Sequence, residues 1–267
     1  MLRDQKGIRC LDLPGWEKRG VKAFYSTREG GGSQSPYGEL NLALHIGDEP
    51  DRVLENRYRL LSSRGVDLQD LICCEQVHGA RVATVGKSDA GRGALDHTLA
   101  VPSCDALITS TIGVCLGAFF ADCFSIFLFD PRRRAIGLAH AGWKGTMNHI
   151  AGRTFQAMKQ KFSCHPQDLE VFIGPGISSC CFEIQPDLVR QVESSFGPTA
   201  DLIYESGGRY TWDLAATNAA ILTGMGVDPD HIEICGLCTS CRDDLFYSYR
   251  RDQGKSGRMG AFISLQY

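Results

Sequence analysis

The chain has no stretch of roughly 18 uninterrupted apolar residues, the length a membrane-crossing helix needs, so no bilayer-spanning segment is expected. Its opening residues, Met1-Leu2-Arg3-Asp4-Gln5-Lys6-Gly7, lack the apolar core of a secretory signal, and a cytoplasmic protein is expected. No long Lys/Arg block stands against the net charge of −3, which argues against nucleic acid or an anionic membrane as partner. Pro/Ser-rich or single-charge linkers and internal repeats are also missing; one domain over residues 1–267, acting as a monomer, is expected. Two nucleotide fingerprints fail on inspection. Gly254-Lys255-Ser256 ends like a phosphate-binding P-loop, but Tyr249 stands where the first glycine belongs, and Gly174-Pro175-Gly176 has no third glycine for a dinucleotide turn.

The apolar residues are organised in short runs rich in β-branched and aromatic side chains. Val21 to Ser26, Val114 to Phe120, Phe124 to Asp130, Ala135 to His140, Glu170 to Ile173 and Ile232 to Cys235 predict strands, several buried on both faces. Between them the periodicity turns helical. The clearest helix runs from Thr146, as N-cap, to Phe162; others are predicted at Asp51 to Arg64, Pro186 to Phe196 and Asp213 to Met225. Strands and helices alternate throughout, which predicts a mixed α/β fold. Gly30 to Gly32 and Gly254 to Gly260 are expected to be surface loops.

In a reducing compartment the twelve cysteines should be thiols that fill the core, bind metal or act as nucleophiles. Cys123 ends Ala121-Asp122-Cys123, which joins two apolar runs, and His140 closes the next run. A hairpin turning at Pro131-Arg132-Arg133-Arg134 would bring Cys123 and His140 to the same end. Alone, that pair fits a buried thiol beside a hydrogen-bonded histidine. His78, in Glu75-Gln76-Val77-His78-Gly79, supplies a third group, and Gly79 would allow a sharp turn there. One thiolate and two imidazoles suit zinc with a fourth position open to a reactant. Gln76 would share a face with His78, whereas Asp122 would point away from Cys123 as a hydrogen-bond acceptor. Ala141-Gly142-Trp143-Lys144-Gly145-Thr146 would open the long helix and offer N–H groups and the Lys144 charge to an anion such as phosphate. Cys235, Cys238 and Cys241 have knuckle-like spacing, but a fourth ligand could come only from Cys180 or Cys181 at long range; a loop beside the active site is the plainer reading.

A further set of strings spans the chain in order: Ser26-Thr27-Arg28, Asn41-Leu42, Glu55-Asn56-Arg57, Gln76-Val77-His78-Gly79, Cys104-Asp105-Ala106-Leu107, Ala121-Asp122-Cys123, His140 through Gly145, Gly174-Pro175-Gly176-Ile177, Phe246 through Arg251 and Gly257-Arg258-Met259. Together they resemble the YfiH-like polyphenol oxidase (laccase) family. The resemblance implies two packed mixed β-sheets flanked by helices, similar to the cysteine-hydrolase-like toxin domain. It also implies a catalytic zinc on His78, Cys123 and His140. The implied activity is phosphorolysis of purine nucleosides (adenosine, inosine, guanosine, methylthioadenosine) with adenosine deamination, the partners being nucleoside and phosphate. Arg28, Asn41, Arg57, Gln76 and Lys144 are the candidate substrate-binding residues. Copper phenol oxidation, the family's other description, would need several copper centres and more than these seven histidines. A third reading is a cysteine hydrolase or amidase, including one that edits cell-wall precursors, with Cys123 as nucleophile and His140 as base.

Overall fold

The computed structural model describes residues 2–197 and 201–266. In chain order, β1 (Leu2–Gln5), β2 (Ile8–Asp12), α1 (Pro14–Glu17) and β3 (Val21–Ser26) lead to α2 (Pro50–Ser63), β4 (Leu71–Cys73) and β5 (Val82–Thr84). The centre of the chain holds β6 (Ala106–Thr109), β7 (Cys115–Phe120), β8 (Phe124–Asp130), β9 (Ala135–Ala141), α3 (Trp143–Met147) and α4 (Ile150–Phe162). Then come β10 (Glu170–Ile173), β11 (Glu183–Ile184), α5 (Pro186–Phe196), β12 (Ile203–Ser206), β13 (Arg209–Trp212), α6 (Leu214–Gly224), β14 (Ile232–Ile234) and β15 (Met259–Leu265).

The strands build two six-stranded sheets, ordered β1-β2-β3-β15-β7-β4 and β14-β10-β8-β9-β6-β5, and a small sheet β11-β13-β12 that was not foreseen. Alternation along β7 shows how they pack. Leu116, Ala118 and Phe120 share a core with Phe127 and Phe129 of β8 and Leu138 of β9, so the two large sheets lie face to face. Their neighbours Cys115 and Phe119 point the other way, with Phe24 and Phe262, onto Leu60 and Leu61 of α2. On the far side of the second sheet, Ile126, Leu128 and Ala139 pack beneath Ile150, Phe155 and Met158 of α4. All residues of β8 and β9 are buried, which explains why their sequences run apolar without a polar face. Each large side chain placed there contributes roughly 1.5–3 kcal/mol.

The predicted hairpin is present: β8 and β9 pair from Asp130↔Ala135 to Phe124↔Ala141. The step before it matters more for the site. β7 belongs to the first sheet and β8 to the second, so Ala121-Asp122-Cys123 carries the chain from one layer to the other, with Asp122 at φ 84. Cys123 is thereby placed at the rim between the sheets.

Two local expectations are corrected. The single helix from Thr146 is two helices: α3 ends at Met147, and α4 starts after His149, whose φ of 57 is incompatible with a continuous helix. Thr146 is not a cap; its hydroxyl accepts from Asn218 Nδ2 at 2.9 Å. Likewise Gly254 to Gly260 is only partly a surface loop, because Ser256, Gly257 and Met259 are buried and Gly260 lies inside β15. A methyl group on Gly257 would sit 2.6 Å from the Tyr247 ring, so this glycine serves close packing and not flexibility.

Candidate metal centre

His78, Cys123 and His140 come from three separate places in the fold. His140 lies in β9 opposite Ser125 of β8, Cys123 lies just before β8, and His78 sits in the loop between β4 and β5. Their ligand atoms all lie within 4.8 Å of one another. The imidazoles meet nearly edge to face, with centroids 4.8 Å apart at 80°. His140 is buried, Cys123 half-buried and His78 exposed, so the cluster opens to solvent on the His78 side. Gly142 packs against both Cys123 and His78: a Cβ there would stand 2.8 Å from Cys123 Sγ and 3.3 Å from His78 Cδ2. Only glycine allows the chain after β9 to pass this close to the thiol.

Asp105, immediately before β6, organises both histidines. Its Oδ1 lies 3.0 Å from His140 Nδ1, which leaves Nε2 for the centre of the cluster. The same carboxylate accepts the N–H groups of His78 at 2.9 Å and Gly79 at 2.7 Å. Burial disfavours the Asp105 charge, but the hydrogen bond and charge of His140 and the two N–H donors hold its carboxyl below the usual range. The turn at His78 is made by residues in left-handed conformation, Gln76 at φ 55 and His78 at φ 58, and not by Gly79 as the sequence suggests. The Asp105 bonds to this loop hold that costly geometry in place.

Cys123 and His140 shift each other's ionisation. Burial works against the thiolate, yet His140 and His78 bring Cys123 down to about 6. Burial equally works against charged His140, yet Cys123 and Asp105 hold it up at about 9. Each partner thus favours the charged form of the other, and the thiolate is the form that ligates metal. The donor set therefore fits a metal ion: one thiolate and two imidazoles converge, one of them fixed by a carboxylate.

The five candidate substrate residues are spread more widely. Arg57 is buried and donates to the carbonyls of Leu42, Gly93 and Ala94, with its guanidinium 4.4 Å from the Phe119 ring centroid. Asn41 is buried as well; its Oδ1 accepts from Ala43 and Arg258 backbone N–H groups. Arg28 donates to the carbonyls of Gly38 and Asp243. Gln76 spends both ends of its amide on the backbone of Phe119, at 2.8 Å each, and lies in a loop, so it does not share a strand face with His78. Lys144 is exposed on α3; among the described residues its ammonium makes no hydrogen bond, and it lies 5.5 Å from the Trp143 ring centroid. Residues not foreseen at the site are Asp105, Gly142, Phe120, whose ring lies 5.5 Å from that of His140, and Arg258, whose charge faces Cys123. Asp105 left a trace: a carboxylate beginning a buried apolar run demands partners.

Fold and site together define a mixed α/β protein with an open His/Cys/His cluster able to hold a metal at the rim between two packed sheets. Residues 22–266 match the family described as multi-copper polyphenol oxidoreductase laccase, and the chain belongs to that family. It is 40% identical over 257 residues to purine nucleoside phosphorylase YlmD of Geobacillus stearothermophilus, covering 93% of this chain and 94% of that protein. It is 32% identical over 241 residues to adenosine deaminase RL5 from an unknown prokaryotic organism, covering 90% and 92%. The crystal structure of YlmD from Geobacillus stearothermophilus superposes with a TM-score of 0.94 at 39% identity, covering 99% of this chain and 98% of that one. Among the described residues no helix is long and apolar enough to cross a membrane.

Proposed function

We propose that the chain is a zinc-dependent enzyme of purine nucleosides that cleaves the glycosidic bond of adenosine, inosine, guanosine or methylthioadenosine with phosphate and also deaminates adenosine. The observation that carries this reading is the convergence of His78, Cys123 and His140 within 4.8 Å with the His78 side open, alongside relatives named for both activities. A zinc ion on these residues would polarise a substrate oxygen or nitrogen and lower the pKa of a water to about 7.

The chain's own residues would do the rest. Asp105 keeps His140 in one tautomer and holds the His78 loop against β6, so the cluster is preorganised before substrate arrives. In phosphorolysis the purine leaves as negative charge builds on it while phosphate approaches the ribose carbon, so cations must sit on both sides of that carbon. Lys144, two residues beyond Gly142 and without a hydrogen-bonding partner among the described residues, is the proposed phosphate-facing cation. Arg258 supplies half-buried positive charge toward Cys123, held by Asn41 through its backbone N–H. Arg28, Arg57 and Gln76 are proposed to act from behind, by fixing the loops that line the site. The chain is taken to work as a single catalytic domain, a reading supported by β15, near its end, lying between β3 and β7.

A cysteine hydrolase is the second reading, favoured by the succession Cys123, His140, Asp105, which has the form of nucleophile, base and orienting carboxylate. His78 separates the two, since a thiol nucleophile does not require it. The test is metal analysis of the purified protein with assays of inosine plus phosphate and of adenosine, on wild type and on His78→Ala, Cys123→Ala and His140→Ala. Turnover should disappear in each variant, and bound zinc should fall by the one ion that this cluster holds. Full activity in any of them overturns the assignment, and copper in the purified protein with phenol oxidation would move it to the oxidase chemistry.

A further inference from the structure

Four of the twelve cysteines gather at a second point, away from the first cluster: Cys180 and Cys181 in the loop before β11, and Cys238 and Cys241 in the loop after β14. The Sγ separations are 3.8 Å for Cys180 to Cys181, 3.6 Å for Cys180 to Cys241 and 3.4 Å for Cys181 to Cys241, and all four sulfurs lie within 4.8 Å of one another. A tetrahedral metal with sulfur at about 2.3 Å sets its sulfurs roughly 3.8 Å apart, which is this spacing. Cys235, suggested by its spacing to Cys238, is not part of the group.

The two loops are built to meet. Gly176 and Cys238 form a parallel bridge, in which Gly176 N–H donates to Leu237 and Thr239 N–H donates back to Gly176. A methyl group on Gly176 would lie 2.6 Å from the Phe124 ring, so the first loop is seated tightly on the second sheet. Exposed free thiols are a liability on a protein surface, yet Cys180 and Cys241 are both exposed here and face each other. The group borders a surface depression of about 470 Å³ shared with Glu183, Tyr204, Arg209 and Thr211, so an ion can reach it from solvent.

We propose that Cys180, Cys181, Cys238 and Cys241 bind one structural zinc ion, independent of the His78, Cys123 and His140 cluster. Binding replaces thiol S–H bonds with metal–sulfur bonds and releases the thiol protons to solvent, with no change of oxidation state. The ion closes the site completely with four sulfurs, so it carries no reactant. It clamps the two loops that hold Asp122, the residue before Cys123. Ile177 N–H donates to the Asp122 carbonyl at 2.8 Å, and Thr239 Oγ1 and Arg250 N–H each donate to its carboxylate at 2.7 Å.

The test uses the full chain purified anaerobically and carrying Cys123→Ala and His140→Ala, so that the first cluster cannot report. One zinc per chain should remain, with an all-sulfur shell near 2.3 Å by X-ray absorption, and a mercurial thiol reagent should release it. Adding Cys180→Ser and Cys241→Ser, both at exposed positions, should remove it. The proposal is overturned if the Cys123/His140 variant holds no zinc while its thiols titrate freely, if mass spectrometry shows a disulfide among the four, if iron occupies the thiolates, or if zinc survives the Cys180/Cys241 substitutions. The absorption measurement needs no change at the four cysteines, so misfolding of the serine variant does not blunt the test. Absence of nucleoside turnover in the wild-type chain with this zinc intact would count against the proposed function alone.

Discussion

Asp105 Oδ1 and His140 Nδ1 lie 3.0 Å apart in the buried base of the metal centre, and the same carboxylate holds the backbone of His78 from the other side. One side chain thus sets the orientation of two of the three ligands. Asp105→Asn preserves size but removes the charge and the preference for the Nδ1–H tautomer. Metal affinity should fall roughly 10- to 100-fold, read by competition with a chromophoric chelator. Affinity within twofold of wild type would remove Asp105 from this role.

Gly142 leaves no room beside Cys123. In Gly142→Ala the new methyl, 2.8 Å from Sγ, must displace the thiol or the loop. Turnover should fall roughly 10- to 100-fold, as a displacement near 1 Å at a reacting centre costs up to about 100-fold, and the metal affinity of this cluster should fall with it. The circular dichroism spectrum should stay that of wild type.

Gln76 distinguishes a scaffold role from a substrate role. Its amide satisfies both the N–H and the C=O of Phe119 at 2.8 Å. Gln76→Ala leaves both groups without their partner, at a cost of about 2 kcal/mol, or roughly 4 to 8 °C in Tm for a chain of this size. A thermal melt checks this. A changed KM with unchanged Tm would instead place the amide on the substrate.

Glu170 gives stability a pH dependence far from the metal. Its carboxylate takes Arg19 through both guanidinium ends and Trp16 Nε1 at 2.9 Å, joining β10 of the second sheet to the segment before β3 of the first. The Arg19 hydrogen bonds, against some burial, hold its pKa below the ordinary 4.5. A depressed carboxylate stabilises the fold above the unfolded value, and that contribution is lost as pH falls through the lower folded value. Arg19 is 40% exposed, so solvent screening limits the contribution to about 1 kcal/mol. Glu170→Gln should therefore be less stable than wild type by that amount in denaturant melts at pH 7. The two curves should converge below pH 4.5; a constant gap down to pH 3 would contradict this.

Much of the architecture was legible because burial on both faces leaves a direct mark. The continuous apolar runs of β7, β8 and β9 are visible as strands, and the equal flanks of Pro131 to Arg134 predict the hairpin that carries Cys123 and His140 to one end. The register is also specific: His140 faces Ser125, which places Cys123 just beyond the pairing, opposite Gly142. Other elements left weak signals. β15, between β3 and β7, is hidden by the glycines before it, which mark close packing but have the composition of a loop. The break before α4 depends on one residue, His149, adopting φ 57, which no periodicity reports.

The sequence alone determined that a thiol and imidazoles end apolar runs, and that knuckle-spaced cysteines exist without an adjacent partner, because residue type and spacing are properties of the chain itself. Tertiary structure alone decided that Asp105 binds both histidine segments, that Arg57 and Gln76 spend their donors on backbone, and that Cys180 and Cys181 reach Cys238 and Cys241. These are contacts between residues far apart in the chain, and they exist only once the two sheets pack and their connecting loops are drawn to a common rim.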